Sequence, residues 1–381
     1  MDFKNKLALI GGVRSLGGSL LWSFTGFALY QYYRLPLTVI SLFYVAQAVV
    51  GLVSFMVGGY LADFLGRITT MVLSSLASSL SLLIAFIINK PIYVVAMILI
   101  QTFFNNAYGV SNTALIGDYT SDFGSLVKYF SRFRVGVNAG WAVGPAIGGL
   151  IYELYGFRVL LLLGSLIPLA SVPLLITLTE PHHSYSTGLT FRVNKQFTLF
   201  LIPTFLTFIV MGQLGFSLLT FYNVHVGLTT FQVGVLYMIN GLMVVFMQDL
   251  IGRYLKTPLL ISLGMVIYGV SYLAVAFIPN FEWAALDMVL ITMAEMIVSP
   301  LSQSLANMLA DPKNRGKYMG LYGMVSGLGR TLASSVSSML MTSALKQPLY
   351  LWGFIFITAL VSALIYGLIL RGASSTVKVT K

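Results

Sequence analysis

Twelve apolar runs, each long enough to cross a lipid bilayer, constrain this chain more than any other feature. They fall roughly at 7–32, 37–62, 68–88, 92–117, 129–153, 158–178, 197–222, 230–250, 258–277, 282–308, 317–343 and 348–370. A spanning helix needs about 20 predominantly apolar residues. Spread over 381 residues, twelve spans leave each helix only a short loop. The expected fold is therefore an all-α polytopic membrane protein with twelve transmembrane helices. Only 9% of the residues are charged, against about a quarter in soluble domains. That excludes a large soluble domain and a disordered regulator. The absence of cysteine excludes a secreted disulfide scaffold and a thiolate metal site. The first run lacks a small-residue cleavage pattern and is too long for a signal-peptide core, so it reads as the first span.

A net charge of +11 would suggest nucleic acid as partner in a soluble protein. Here the basic residues lie in short loops between apolar runs and report orientation instead. With both termini in the cytoplasm, 16 of the 22 Lys and Arg fall inside and four (Arg34, Lys90, Arg158, Lys346) fall outside. Arg14 and Arg330 lie within spans. Cytoplasmic loops carry this kind of excess, so a multi-pass plasma-membrane protein with cytoplasmic termini is expected. The one polar stretch of any length between spans runs from Thr179 to Lys195. It reads as a linker (179–195) between two six-helix bundles, 1–178 and 196–381.

The halves look related. Asp63-Phe64-Leu65-Gly66-Arg67 follows span 2 and Asp249-Leu250-Ile251-Gly252-Arg253 follows span 8, an offset of 186. Asp118 opens the loop after span 4 and Asp311 the loop after span 10, an offset of 193. Two offsets near half the chain indicate duplication in parallel orientation, because six spans return the chain to the side where it began. Parallel repeats with a site at their interface are a transporter architecture.

Gly59-Tyr60-Leu61-Ala62-Asp63-Phe64-Leu65-Gly66-Arg67 closely resembles the loop 2–3 motif of the major facilitator superfamily, and the spans, linker and degenerate repeat extend the resemblance over the whole chain. The resemblance implies that Asp63 sits near the N-terminus of span 11, where a helix dipole favours an anion, and that Arg67 pairs with Asp118. By the repeat, Asp249, Gly252, Arg253 and Asp311 would form a second such latch. Phe64 and Ile68 stand where the family usually has basic residues. Span 5 carries glycines four apart at Gly136, Gly140, Gly144 and Gly148, a smooth stripe for close helix contact. Pro145 bends that helix by removing a backbone hydrogen bond. With Gly149, the stretch resembles the family's antiporter motif. The equivalent stretch of span 11 keeps Gly323 and Gly327 but lacks the Gly-Pro. Pro312 to Gly320, with Arg315, is similar to a pattern common in exporters of the superfamily.

Charges at membrane depth are functional candidates. Glu295 and Arg330 each lie about 20 Å into their spans at 1.5 Å per residue. Their midpoint falls in the turn between spans 10 and 11, so they are expected at similar depth as a buried pair that could carry a coupling proton. Asp287 is placed near the outer interface. Arg14 is placed where a long side chain could snorkel to the cytoplasm. Gln101, Asn105, Asn106 and Asn138 are expected to form a neutral polar cluster. These four, with Arg14, Gln213, Trp22, Phe104 and Tyr108, are candidates to line a substrate cavity, since the resemblance puts helices 1, 4, 7 and 10 around it.

Gln101 stands near where many drug–proton antiporters carry an arginine, and span 1 has no acid. Both departures shift the expected solute from permanent cations toward anionic or neutral amphipathic molecules. No Gly-Lys-Ser/Thr phosphate loop is present, and His182, His183 and His225 are too few and too far apart for a zinc site. The expectation is a secondary transporter, not an enzyme, and a monomer without cofactor. Its partners are a small solute, protons and lipid, with no nucleic acid. Proton-coupled export of small organic or drug-like solutes leads; import of a metabolite by symport is the alternative.

Overall fold

The computed structural model describes residues 1–181, 192–344 and 346–374. Fourteen α-helices follow one another among them: α1 Phe3–Gln31, α2 Leu37–Leu65, α3 Arg67–Ile88, α4 Pro91–Asp118, α5 Phe123–Tyr155, α6 Phe157–Leu169, α7 Val172–Ile176, α8 Lys195–Met211, α9 Phe216–Val224, α10 Thr230–Gly252, α11 Leu260–Val275, α12 Phe281–Leu309, α13 Arg315–Ala344 and α14 Leu349–Ser374. No strand occurs among the described residues. Nine helical segments among them are long and apolar enough to cross a bilayer. α5 and α13 have the length, but their basic residues, glycines and serines dilute the apolar character.

Fourteen helices match twelve crossings because two of the expected spans are broken. The sixth divides into α6 and α7, where Pro173 at the start of α7 has no N–H to continue the ladder. The seventh divides into α8 and α9 through a 3₁₀ turn at Gly212–Leu214 and a non-helical Gly215. The Tyr237 hydroxyl on α10 donates to the Leu214 carbonyl, meeting one acceptor that the break releases. In hydrocarbon, unwound backbone persists only where the protein supplies such partners.

The helix starts follow ordinary capping chemistry. The Asp2 side chain accepts from Asn5 N, Asn194 from Phe197 N, and Thr229 with Gln232 forms a capping box. Asp122 accepts from Ser125 N at 2.8 Å ahead of α5, and hydrogen bonds from Ser125 hold its carboxyl below the usual carboxylate range. The reversal between α2 and α3 is made by one residue, Gly66, at φ +93°, which a side chain would strain. The expected linker falls mostly at 182–191, with His182, His183 and Ser184 to Gly188, and so lies outside the described residues.

Two compact units divide the chain, and they do not coincide with its halves. One holds Met1–Ser121, Arg132 through the end of α7, and Ala310–Met324. The other holds Asp122–Ser131, the helices from α8 to α12, and Val325 through the end of α14. The first turns of α13 thus belong with the first unit, although they follow the tenth span in sequence.

Candidate functional site

Asp63 ends α2 beside the first residues of α13. Its Oδ1 accepts from Gly316 N and its Oδ2 from Lys317 N, both at 2.9 Å. A carboxylate on the free N–H groups of a helix start is favoured by hydrogen bonding and by the dipole. The helices approach this closely because there is no side chain between them. A Cβ on Gly59 would lie 2.6 Å from the Gly316 carbonyl, and one on Gly320 would lie 2.5 Å from the Phe55 carbonyl.

Two arginines close the network. Arg67 Nη1 donates to Asp63 Oδ1 at 2.7 Å and its Nε to Asp118 Oδ2 at 2.9 Å. Arg315 Nη1 donates to Asp118 Oδ1 at 2.6 Å. Asp63 and Arg67 are sealed from solvent, and Asp118 and Arg315 nearly so. Two carboxylates and two guanidinium groups balance in charge, which is what makes burial of four ions tolerable. Glu180, in the expected linker, caps α3 by accepting from Arg67 N at 2.6 Å and Ile68 N at 3.1 Å.

The repeat of this arrangement in the second half is not assembled. Both Asp311 carboxylate oxygens are engaged in its own turn, by Lys313 N and Asn314 Nδ2. Arg253 caps the end of α10 with its side chain exposed and no ion pair among the described residues. Gly252 lies against Ser131, whose Oγ would be 2.5 Å from an added Cβ. The basic residue of that loop, Arg315, serves Asp118 instead. The expected pair of latches is therefore replaced by one network that draws on both loops.

The glycine stripe of α5 packs on α1. A Cβ on Gly140 would lie 2.5 Å from the Gly12 carbonyl, and one on Gly148 would lie 2.7 Å from that of Leu20. At Gly136 and Gly144 an added Cβ would overlap the Ala8 carbonyl and the Ser19 hydroxyl. Ser19 Oγ reaches both Leu16 O and Gly140 O at 3.2 Å, a polar stitch across the crossing. Gly149 meets the Phe24 ring, and Pro145 stays inside an unbroken α5.

The deep polar residues sort differently from the expectation. Gln101, Asn105, Asn106 and Asn138 do not form one cluster. Neighbours on a helix point about 100° apart, so Asn105 turns to Arg14 while Asn106 turns to Ser54 Oγ on α2, at 3.0 Å. Asn138 donates back to the Arg134 carbonyl of its own helix. Arg14 does not snorkel: it is buried, with Nη1 2.7 Å from Ser75 Oγ and Nη2 3.1 Å from Asn105 Oδ1. Tyr108 lies under its guanidinium. Phe104 stacks edge-on with Phe103, and Trp22 is half exposed. Gln213 is buried at the helix break, bonded to Ile209 O at 3.0 Å and to Ser337 Oγ at 2.5 Å, so it ties α13 to that break.

Glu295 and Arg330 are expected to be buried together at depth; Arg330 is exposed instead, and Glu295 only partly withdrawn. Glu295 is half-buried and its Oε2 accepts from Asn240 Nδ2 at 2.9 Å; Asn240 also donates to Thr292 Oγ1 at 3.0 Å. Arg330 is exposed, with its guanidinium carbon 4.7 Å from the Phe208 ring centre. Asp287 is buried within the helices, and Tyr222 donates to its Oδ2 at 3.3 Å. Asn240 and Ser75 escaped the sequence reading. Their signal is a polar residue within an apolar span, weak for Asn240 and hidden for Ser75 by the serines around it.

A chain of long apolar helices, a buried ion network at the start of α13 and a glycine crossing in the fifth span are the features of a membrane transporter. A sequence profile of the Major Facilitator Superfamily matches residues 7–334 and 257–380, and the chain belongs to that family. YttB, an MFS-type transporter of Bacillus subtilis (strain 168), is 24% identical over 345 residues, which cover 86% of this chain and 85% of that protein. The human organic anion transporter MFSD10 shares the fold at TM-score 0.82 and 15% identity, over 95% of this chain and 100% of that one. A bacterial homologue of the iron transporter ferroportin, in an outward-facing state, aligns at TM-score 0.78 and 13% identity, over 98% and 100%. The proton:xylose symporter XylE aligns at 0.75 and 14%, over 97% and 95%. This is a multi-pass membrane transporter and not an enzyme.

Proposed function

We propose that the chain exports small organic solutes in exchange for protons by alternating access, as a monomer in the plasma membrane with both termini cytoplasmic. The observation that carries the reading is the network at the start of α13. It joins the ends of α2 and α4 to Gly316 and Lys317 through ions withdrawn from water. Opening toward the cytoplasm requires α13 to leave that site, which exposes Asp63, Asp118, Arg67 and Arg315 to water. The network therefore acts as a latch for the state closed on that side. Glu295 supplies a carboxyl within the helices for coupling, and the α1–α5 glycine crossing supplies the close seal that an exchanger needs.

In this reading Glu295 carries the proton, Asn240 orients its carboxyl, and Arg330 modulates it from the same unit. The bundles 1–178 and 196–381 move as the two halves of the cycle. The test is solute flux in proteoliposomes with an imposed pH gradient. Uphill solute movement opposite to the proton flow supports exchange. Movement with the protons would make the chain an importing symporter, and flux indifferent to pH would remove proton coupling altogether.

A further inference from the structure

A transmembrane arginine is ordinarily balanced by a carboxylate, and Arg14 is not. It is 9% exposed, and its polar partners among the described residues are two neutral oxygens, those of Ser75 and Asn105. Its guanidinium carbon lies 3.5 Å from the centre of the Tyr108 ring, whose face attracts a cation without neutralising it. The Tyr108 hydroxyl is itself buried and has no hydrogen-bond partner among the described residues. A guanidinium has five N–H donors and no acceptor; two are used here. The unmet groups at this point can thus both donate, and one of them, the guanidinium, is charged and can only donate.

Two glycines on the helices that carry Arg14 and Asn105 meet open space. Gly18 stands four residues after Arg14 on α1, and Gly109 four residues after Asn105 on α4, so each shares a helix face with its partner. A Cβ on either glycine would meet no atom within 4 Å, in contrast to the crowded glycines of the α1–α5 crossing. Asn105 is exposed, so the approach to Arg14 along this face is open at that residue. We propose that this face, with Arg14, Tyr108 and Asn105, binds the anionic group of the solute: a carboxylate, sulfonate or phosphonate on a small organic body. The proposal rests on the reading that the chain transports small organic solutes. An inorganic anion such as chloride shares the chemistry, and the test separates the two.

Melting temperatures of the full chain in detergent are measured with 1-naphthoate, naphthalene-2-sulfonate and phenylphosphonate. The neutral 1-naphthamide, the cation benzyltrimethylammonium and sodium chloride serve as comparisons. At least one organic anion is expected to raise the melting temperature saturably, and the neutral and cationic probes are expected not to. Arg14→Gln should weaken that binding at least tenfold and Tyr108→Phe several-fold. Gly18→Leu and Gly109→Leu, which meet open space, should keep the unliganded melting temperature and lose the response. No response to any organic anion, an undiminished response in the leucine variants, or a response to chloride alone would overturn the proposal. Binding without counterflow of the same anion in proteoliposomes would instead uphold the site and overturn the transport reading.

Discussion

Asp63 bonds two backbone N–H groups of α13 and one arginine at once. Asp63→Asn keeps one acceptor and removes the charge. One side of the carboxylate, either Oδ1 with Gly316 N and Arg67 or Oδ2 with Lys317 N, then loses its acceptor and Arg67 loses its opposite charge, and removing one member of a buried ion set costs about 3–5 kcal/mol. At about 1.4 kcal/mol per decade that loss corresponds to about two to three and a half decades, so we expect turnover to fall at least tenfold, with solute affinity within about threefold because the latch does not line the proposed solute site. Flux and equilibrium binding measured on the same preparation check this; unchanged turnover removes the latch. Glu295 gives the second residue-scale prediction. Glu295→Gln preserves shape and a partner for Asn240 but cannot ionise. It should abolish accumulation driven by the pH gradient while solute-for-solute counterflow continues. Proton-driven uphill transport by that variant would move coupling elsewhere, with Asp287 the next carboxyl to test.

At the scale of elements, the α1–α5 crossing is set by what is missing from α5. Four glycines remove the side chains that would hold the helices apart, and Gly12 on α1 answers them, its own Cβ position only 3.0 Å from the Gly136 carbonyl. Gly144→Leu inserts a branched side chain where even a methyl group overlaps Ser19. Overpacking of this kind costs about 1–3 kcal/mol. The expected result is a folded protein with a lowered melting temperature and a proton leak in the absence of solute. A tightly coupled, fully active variant would show that the crossing is not part of the seal. Gly18→Leu, on the same helix but over open space, is the internal control, since its stability should be unchanged.

For the whole molecule, the 16-to-4 distribution of Lys and Arg makes a prediction about sidedness. The chain has no cysteine, so single substitutions report cleanly. In intact cells a membrane-impermeant maleimide should label Lys90→Cys and should not label Arg253→Cys; both positions are exposed. The reverse pattern would invert the topology and place the Asp63 latch on the opposite side of the membrane.

The order of the twelve spans, most of their boundaries to within a few residues and the family were readable from sequence, because hydrocarbon thickness fixes run length and the loop motif is local; the breaks in the sixth and seventh spans and the early start of α5 at Phe123 were not. The glycine stripe was readable for the same reason: helical spacing alone puts Gly136, Gly140, Gly144 and Gly148 on one face. What sequence could not decide was partner choice between helices distant in the chain. The repeat gave Asp249, Arg253 and Asp311 the same grammar as Asp63, Arg67 and Asp118, yet Arg315 bonds Asp118 and Asp311 closes on its own turn. Arg14 had an aqueous escape on paper, and its burial against Ser75, Asn105 and Tyr108 depends on three helices meeting. Spacing specifies depth and face along one helix, whereas the neighbour met at that depth is set by packing, through the glycines that let α13 reach Asp63 and α5 lie against α1.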